Sequence, residues 1–493
     1  MKNVRESALK KEKSSNILIE ILYLLTSVAF TIPSLEYLRT HKSIYYFIYV
    51  FSYIYKDIEQ RYELYINAII YVVLFSTLFL LYFKILKNIN KIFKTNKSMF
   101  LYIIIIAVLF TIIIPTTSLD VYSYIGNGWV DSKYNENPYY TSVQDIWNKN
   151  GPDEMLGKVA RCWRNEPVVY GPVWSVICKI LTSFSFGNIT ASLYIFKIVT
   201  LLVFLAITYL IYKITNKKIF TAMFALNPFI LFEFLSNVHN DIFLVFFILL
   251  GIYFLKNKKN IFLSIACIAL ATGIKYLSIL MLPFILIYGL KDEKLKNKIG
   301  KTVLYVAEFI LIILAFYLLY VKDIRVLSGI FVQQNKYSRS IFLGLYYLLN
   351  GDTKILSLIK VISLGIFAIS YVIIVSKLFF NENSKIKFSK LMKTYQVFLL
   401  IFTFLLITNF NSWYVVWLFP TLFYQNAKNI RYTLYLSMGV IYSYAITYAT
   451  RIDDETVGIP YFLVMVFTVI LLELMRYIKI KLKKIKRKEV KKV

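Results

Sequence analysis

Asp120 stands in the segment TTSLDVYSYIGNGWV, a few residues past an apolar run that closes at Pro115. A carboxylate at that distance from the hydrocarbon edge sits at the depth of lipid phosphates. Held in position, it can take the proton of an attacking hydroxyl; the alternative is a solvated loop acid or a helix cap. Its company favours the first reading. Tyr122 and Tyr124, with Gly126, Asn127, Gly128 and Trp129, make an aromatic and amide-rich surface suited to sugar rings and hydroxyls. Asn137-Pro138-Tyr139 then turns the chain, the proline keeping the residue before it extended. Tyr170 opens a further aromatic segment, YGPVW. Interfacial aromatics alone are general in membrane proteins, so the carboxylate carries the argument.

Three other groups of residues invite chemistry. His239-Asn240-Asp241 forms a polar turn between two short apolar runs, after LNPFILFEFLSN. It reads equally as an ordinary tight turn or as a hydroxyl-binding site. Lys275 interrupts the apolar run ATGIKYLSILMLPF. A lysine there is costly and marks a function or a helix pairing, with Glu233 or Asp241 as the available partners. Lys336 and Arg339, in VQQNKYSRS, are cations on a loop where few are expected. They face an anionic headgroup or are simply solvated.

The elements that position these residues follow from composition. The 493 residues are 58% hydrophobic and 17% charged, and the mean hydropathy is +0.62. Soluble chains are less apolar and carry more charge. Two histidines and three cysteines leave no histidine-rich metal site or disulfide framework. Apolar runs of spanning length cover 17–38, 64–84, 99–115, 190–212, 302–321, 356–379, 394–409, 432–449 and 460–479. Shorter ones, 219–235, 241–255, 261–274, 275–290 and 413–427, bring the expectation to about 14 transmembrane helices. The fold class is therefore all-α and polytopic, an integral membrane protein.

The net charge of +30 then reads as topology. With the N-terminus inside, the inner segments hold 38 of the 57 Lys and Arg, the outer segments 16, and Lys197, Lys275 and Lys360 lie within helices. Basic loops stay cytoplasmic, so both termini are expected inside the plasma membrane. Residues 1–16 form a basic N-terminus, 17–479 one transmembrane domain and 480–493 a basic tail held by anionic lipid rather than nucleic acid. The long loop 116–189 falls outside. The segments 43–55 and 170–186 are too short to cross and read as interfacial helices flanking it.

In order along the chain, LDVYSYIGNGW, NPYY, YGPVW, ALNPFILFEFLSNVHND, GIKYLSILMLP and FNSWYVVWLFP resemble the polyprenol-phosphate-mannose-dependent α-(1→6)-mannopyranosyltransferases of the glycosyltransferase C superfamily. The resemblance runs from about residue 99 to 430. It implies a membrane enzyme that moves a sugar, mannose in that family, from a polyprenyl-phosphate carrier to an extracytoplasmic hydroxyl of a glycan or glycolipid, with inversion. By position it makes Asp120 the general base and assigns substrate contacts to His239, Asp241, Lys275, Trp413 and Tyr414. The loop lacks a DxD pair, and no metal ligand or cofactor is assigned.

The chemistry is consistent with the residues alone. A departing lipid phosphate gathers negative charge that fixed cations stabilise; Lys275, Lys336 and Arg339 are available. Single displacement needs one base. Retention would need a second carboxylate, for which Asp131, Glu136 and Asp241 are present. No phosphate-binding glycine loop occurs, and no inner loop is long enough to fold a nucleotide-sugar domain. A transporter or flippase of lipid-linked saccharides is the alternative, with Glu20, Lys197, Glu233, Glu308 and Lys360 lining a path. No internal repeat supports it. A ligase using another carrier-linked group on the same face shares most of these arguments.

Overall fold

The computed structural model describes residues 2–40, 60–329, 336–381, 386–446 and 458–490. The expected interfacial helix over 43–55 lies outside them. The described residues are helical, apart from turns and an isolated parallel bridge joining Ser338 to Asn409. The elements used below are α1 (Lys2–Thr40), α2 (Gln60–Lys87), α3 (Asn96–Ile112), α4 (Asp120–Ser132), α5 (Pro172–Ser183), α6 (Ile189–Thr215), α7 (Lys218–Ala225), α8 (Asp241–Asn257), α9 (Ile261–Thr272), α10 (Leu282–Gly289), α11 (Leu295–Tyr317), α12 (Thr353–Phe379), α13 (Phe388–Ile401), α14 (Ala427–Ser443) and α15 (Gly458–Val490).

Polar residues flanking the apolar runs start several of these helices. Thr95 caps α3 through Ser98 N at 3.1 Å, Asn188 caps α6 through Ala191 N at 2.8 Å, and Asp352 caps α12. Each satisfies an amide that the first turn leaves without a helical partner.

Among the described residues, seven helices are long and apolar enough to cross a membrane, or up to eight if α7 and Pro228–Ser236, bent by 44°, form one span. The other runs expected to cross are shorter or broken. Among the described residues, the runs 99–115, 241–255 and 432–449 fall mainly in α3, α8 and α14, each of 17 residues. Such a helix rises about 26 Å, short of a hydrocarbon core of about 30 Å. The stretch 261–290 divides into α9, a 3₁₀ segment (Tyr276–Met281) and α10, and 413–427 is mostly a 3₁₀ segment (Ser412–Tyr424) containing Pro420.

Aromatic rings fill the space between α1, α2 and the bent region after α7. Phe30 lies 4.6 Å from Phe75, and Phe75 lies 5.1 Å edge-on to Phe232. Tyr23 and Tyr82 donate to the carbonyls of Leu226 and Met223, at the end of α7 where helical donors run out. By contrast α11 and α12 stand almost bare. Val303, Leu304, Leu311, Leu358, Val361 and Ile366 are all more than half exposed. So continuous an apolar surface suits lipid, not water.

Candidate active site

The site is assembled where regular helix gives way. After α7 the chain breaks at Asn227-Pro228 and winds as a π-helical turn over Leu231–Ser236. Val238 follows with φ of +62°, a left-handed conformation that a β-branched residue adopts only under constraint. It delivers His239 into the interior.

The constraint has a visible source. Lys197 of α6, fully buried, donates to the carbonyls of Ile113, Leu235 and Ser236 at 2.6, 2.9 and 2.8 Å. One ammonium thus ties the end of the π turn to the end of α3. Asn237 adds a second tie: its Oδ1 accepts from Thr116 N at 3.1 Å, and its Nδ2 donates to Thr117 Oγ1 at 2.6 Å. Together they fix the approach of 113–118, and therefore Asp120, to His239.

Asp120 is the first residue of α4, where the helix dipole favours a negative charge. Its Oδ2 lies 3.5 Å from His239 Nδ1, and His239 Nε2 lies 3.2 Å from Glu233 Oε2. The imidazole and Glu233 are fully buried, while the Asp120 side chain keeps 16% exposure. Trp413 stacks on the imidazole, ring centroids 3.8 Å apart and 18° from parallel. Burial pulls the imidazole toward neutrality, but the carboxylates of Asp120 and Glu233 outweigh it and push the pKa up to about 9. Burial pushes the Asp120 carboxyl up. Pairing with His239, aided by the charge of Lys275, outweighs that and holds it below its ordinary value. The result at neutral pH is a charged, oriented carboxylate with one partly open face.

Lys275 reaches the same region from a separate element, just before the 3₁₀ segment Tyr276–Met281. Gly171 N donates to Ile274 O at 3.2 Å, and Val173 N donates to Gly273 O at 2.9 Å. A Cβ on Gly171 would collide with the Gly273 backbone. The two glycines therefore let the backbones touch and set Tyr170 beside Lys275. Lys275 Nζ contacts both oxygens of Asp241, which is fully buried, and faces the rings of Tyr414, Trp417 and Tyr170 at 4.6, 5.5 and 5.9 Å. Of the two partners open in the sequence, the lysine takes Asp241.

A cavity of about 290 Å³ opens between these elements. Asp120, Tyr170, Lys275, Trp413 and Tyr414, all singled out in the sequence, line it. His239, Asn240 and Asp241 are fully buried and are not part of its lining. His239 supports Asp120, and Asp241 supports Lys275. Asn127 lines a small recess beside Asp120.

Tyr122 and Tyr124 are buried in the core, Tyr124 edge-on to Trp174 at 5.1 Å and to Tyr170 at 5.4 Å. Asn137 and Tyr139 brace the loop: Asn137 Nδ2 donates to Tyr320 O at 2.6 Å, and Tyr139 OH donates to Tyr170 O at 2.8 Å. Lys336 pairs with Glu166 at 2.5 Å and covers Trp163 at 4.4 Å, on the cavity rim. Arg339 lies over Tyr461, 4.9 Å from its centroid, and does not line the cavity.

Trp417, Trp163 and Asn411 also line the cavity and were not assigned from sequence. Trp417 was within reach, four residues after Trp413 in FNSWYVVWLFP. Lys360 of α12, with Leu364, Phe402 and Leu406, forms the wall nearest the bare helices.

Residues 53–290, just under half of the chain, match the family model described as Alpha-(1->6)-mannopyranosyltransferase, N-terminal domain. Two curated proteins named Alpha-(1->6)-mannopyranosyltransferase A are similar. That of Corynebacterium glutamicum is 26% identical over 195 residues, 38% of this chain. That of Mycobacterium tuberculosis is 25% identical over 177 residues, 35% of this chain. The matched stretches cover 38% and 33% of those relatives' own lengths. No solved structure matches the chain. The chain thus resembles this mannosyltransferase family, as its motifs indicate, and it carries the apolar helices of a membrane protein.

Proposed function

We propose that this chain is a membrane mannosyltransferase forming α-(1→6) linkages. Mannose leaves a polyprenyl-phosphate carrier and joins a hydroxyl of an extracytoplasmic glycan or glycolipid, with inversion. The observation that carries the reading is the pairing of walls in one cavity: Asp120, held charged by His239, against Lys275, beside an apolar side formed by Leu364, Phe402 and Leu406.

In the reaction, the acceptor oxygen attacks the anomeric carbon and forms the new C–O bond. The bond from that carbon to the carrier phosphate breaks, and its electron pair leaves with the phosphate. The acceptor proton passes to the Asp120 carboxylate, and displacement from the face opposite the phosphate inverts the centre. His239 stays protonated throughout, keeping Asp120 ionised and aimed. Lys275 and Lys360, both in the lining, oppose the charge that gathers on the phosphate. Asp241 fixes Lys275 in place, and the stacked pair Tyr414 and Trp417, centroids 4.1 Å apart, presents flat faces to the sugar.

The lipid tail reaches the cavity along α12, and the cavity opens outward where loop 116–189 is expected. Both termini then lie in the cytoplasm. The shorter apolar helices α3, α8, α9 and α14 complete the crossings in a locally thinned or tilted arrangement. Purified full-length protein in lipid, given radiolabelled polyprenyl-phosphate mannose and an α-mannoside acceptor, should yield an α-(1→6)-linked product. Absence of any transfer, or a different linkage in the product, overturns the reading.

A further inference from the structure

Beside Asp120 a second, smaller recess branches from the cavity, lined by Asp120, Ser123, Asn127, Trp163, Glu166, Pro167, Val169 and Tyr170. We infer that this recess receives the reacting edge of the acceptor saccharide, holding one or two of its hydroxyls against Ser123, Asn127 and Glu166. This rests on the mannosyltransferase reading and assigns the half of the site which that reading leaves open.

Four observations support it. The recess and the main cavity share Asp120, Trp163, Val169 and Tyr170, so a group in either lies next to the same carboxylate. The recess measures about 20 Å³, room for a hydroxyl or a water but not for a lipid phosphate or a whole sugar ring. Its lining is richer in uncharged hydrogen-bonding groups than the apolar side of the main cavity. Finally, two of its polar atoms lack the partners that buried groups ordinarily find. Ser123 Oγ, on a residue only 8% exposed, has no hydrogen-bond partner, and neither has Glu166 Oε2.

The chemistry of those atoms specifies what fits. Glu166 can only accept a hydrogen bond, Ser123 can donate and accept, and the Asn127 amide does both. Neighbouring hydroxyls of a pyranose complement that set. A phosphate does not, because a carboxylate would repel it. Lys336 holds the other oxygen of Glu166 at 2.5 Å, which leaves Oε2 turned to a different partner. Trp163 borders both spaces and offers an apolar face for the sugar ring. Ser123 and Asn127 follow Asp120 by three and seven residues, spacings that place all three along one face of α4. The helix that positions the base therefore also positions the acceptor.

Ser123→Ala and Glu166→Gln separate this assignment from a structural role. The serine hydroxyl has no partner to lose, so its removal should leave thermal stability at the wild-type level. Glutamine keeps the shape of Glu166. In lipid, with polyprenyl-phosphate mannose as donor and methyl α-mannoside as acceptor, each variant should raise the acceptor KM roughly tenfold while the donor KM holds. Trp163→Phe, which keeps a ring in place, should raise it less. Unchanged acceptor KM in both variants, or a donor KM that rises in step with it, overturns the assignment while leaving the mannosyltransferase reading intact. Wild-type protein that transfers nothing overturns both.

Discussion

Lys275 Nζ lies 2.7 and 2.8 Å from the two carboxylate oxygens of Asp241, and the Trp417 indole donates to the first of them at 2.6 Å. The carboxylate has no solvent exposure and the lysine side chain keeps 14%. Removing one charge therefore strands the other without water. Lys275→Ala should destabilise the protein by about 3–5 kcal/mol, and the double change with Asp241→Ala by less than the two single losses combined. Unfolding of the four proteins in one detergent measures it. Additive losses would mean that the pair is not coupled.

Asp120→Asn keeps the size of the side chain and removes its basicity. With its neighbours unchanged, donor binding should hold while kcat drops by about 10²–10⁴-fold. Single-turnover assays with labelled donor separate the two. Turnover at the wild-type level would remove Asp120 from the role of base.

The charge on His239 sets a pH window. Below the ordinary imidazole value of 6.5 the ring is protonated in the folded and unfolded chain alike, so its pairing with Asp120 and Glu233 contributes fully to stability. Between 6.5 and about 9 the unfolded ring loses its proton while the folded ring keeps it, and the contribution shrinks. Above about 9 it is gone. Activity should fall through the same upper value, as Asp120 loses its charged neighbour. His239→Gln should be slower at neutral pH and should lack that alkaline limb in a pH–rate profile.

Lys197→Met retains the buried alkyl stem but leaves the carbonyls of Ile113, Leu235 and Ser236 without their donor. A loss of about 3 kcal/mol or more is expected, at 1–3 kcal/mol for each stranded group. Because those carbonyls set the approach of Asp120 to His239, kcat should also fall with little change in donor KM. Lys197 lines no part of the cavity, so a change in donor KM alone would contradict a positioning role.

The side of the membrane is open to a direct test. Lys149 in loop 116–189 has a side chain 68% exposed. Lys149→Cys, in a background lacking Cys162, Cys178 and Cys267, should react with an impermeant thiol reagent in intact cells. Labelling only after lysis would place the loop inside.

Much of the site was legible in the chain because its residues are expensive where they stand. Asp120 just past an apolar run, Lys275 within one and His239 in a turn between two each announce a purpose, and all three meet at one cavity or behind its wall. What each does there was less legible. His239 and Asp241 read as substrate contacts, with Asp241 also open as a partner of Lys275; in the fold they are buried beside Asp120 and Lys275. Glu233 and Lys197 read as members of a transport path. The first is the far partner of the imidazole, and the second is a clamp on backbone carbonyls. The spacing of Glu233 and His239 within FEFLSNVHND was a usable signal only with the π turn in view.

The sequence by itself determined the class of the protein and the position of its principal carboxylate. Hydropathy, charge asymmetry and the unfavourable placement of an ionisable group are local properties that add along the chain. The tertiary structure alone decided where the apolar runs break and which polar groups meet. A helix can end inside an apolar stretch only if its freed carbonyls find donors, and those donors come from far away: Tyr23 and Tyr82 at the end of α7, Lys197 at the π turn. Pairings across such distances leave no periodic trace in the sequence, yet they bring a carboxylate and a lysine to the same cavity and set an imidazole behind its wall.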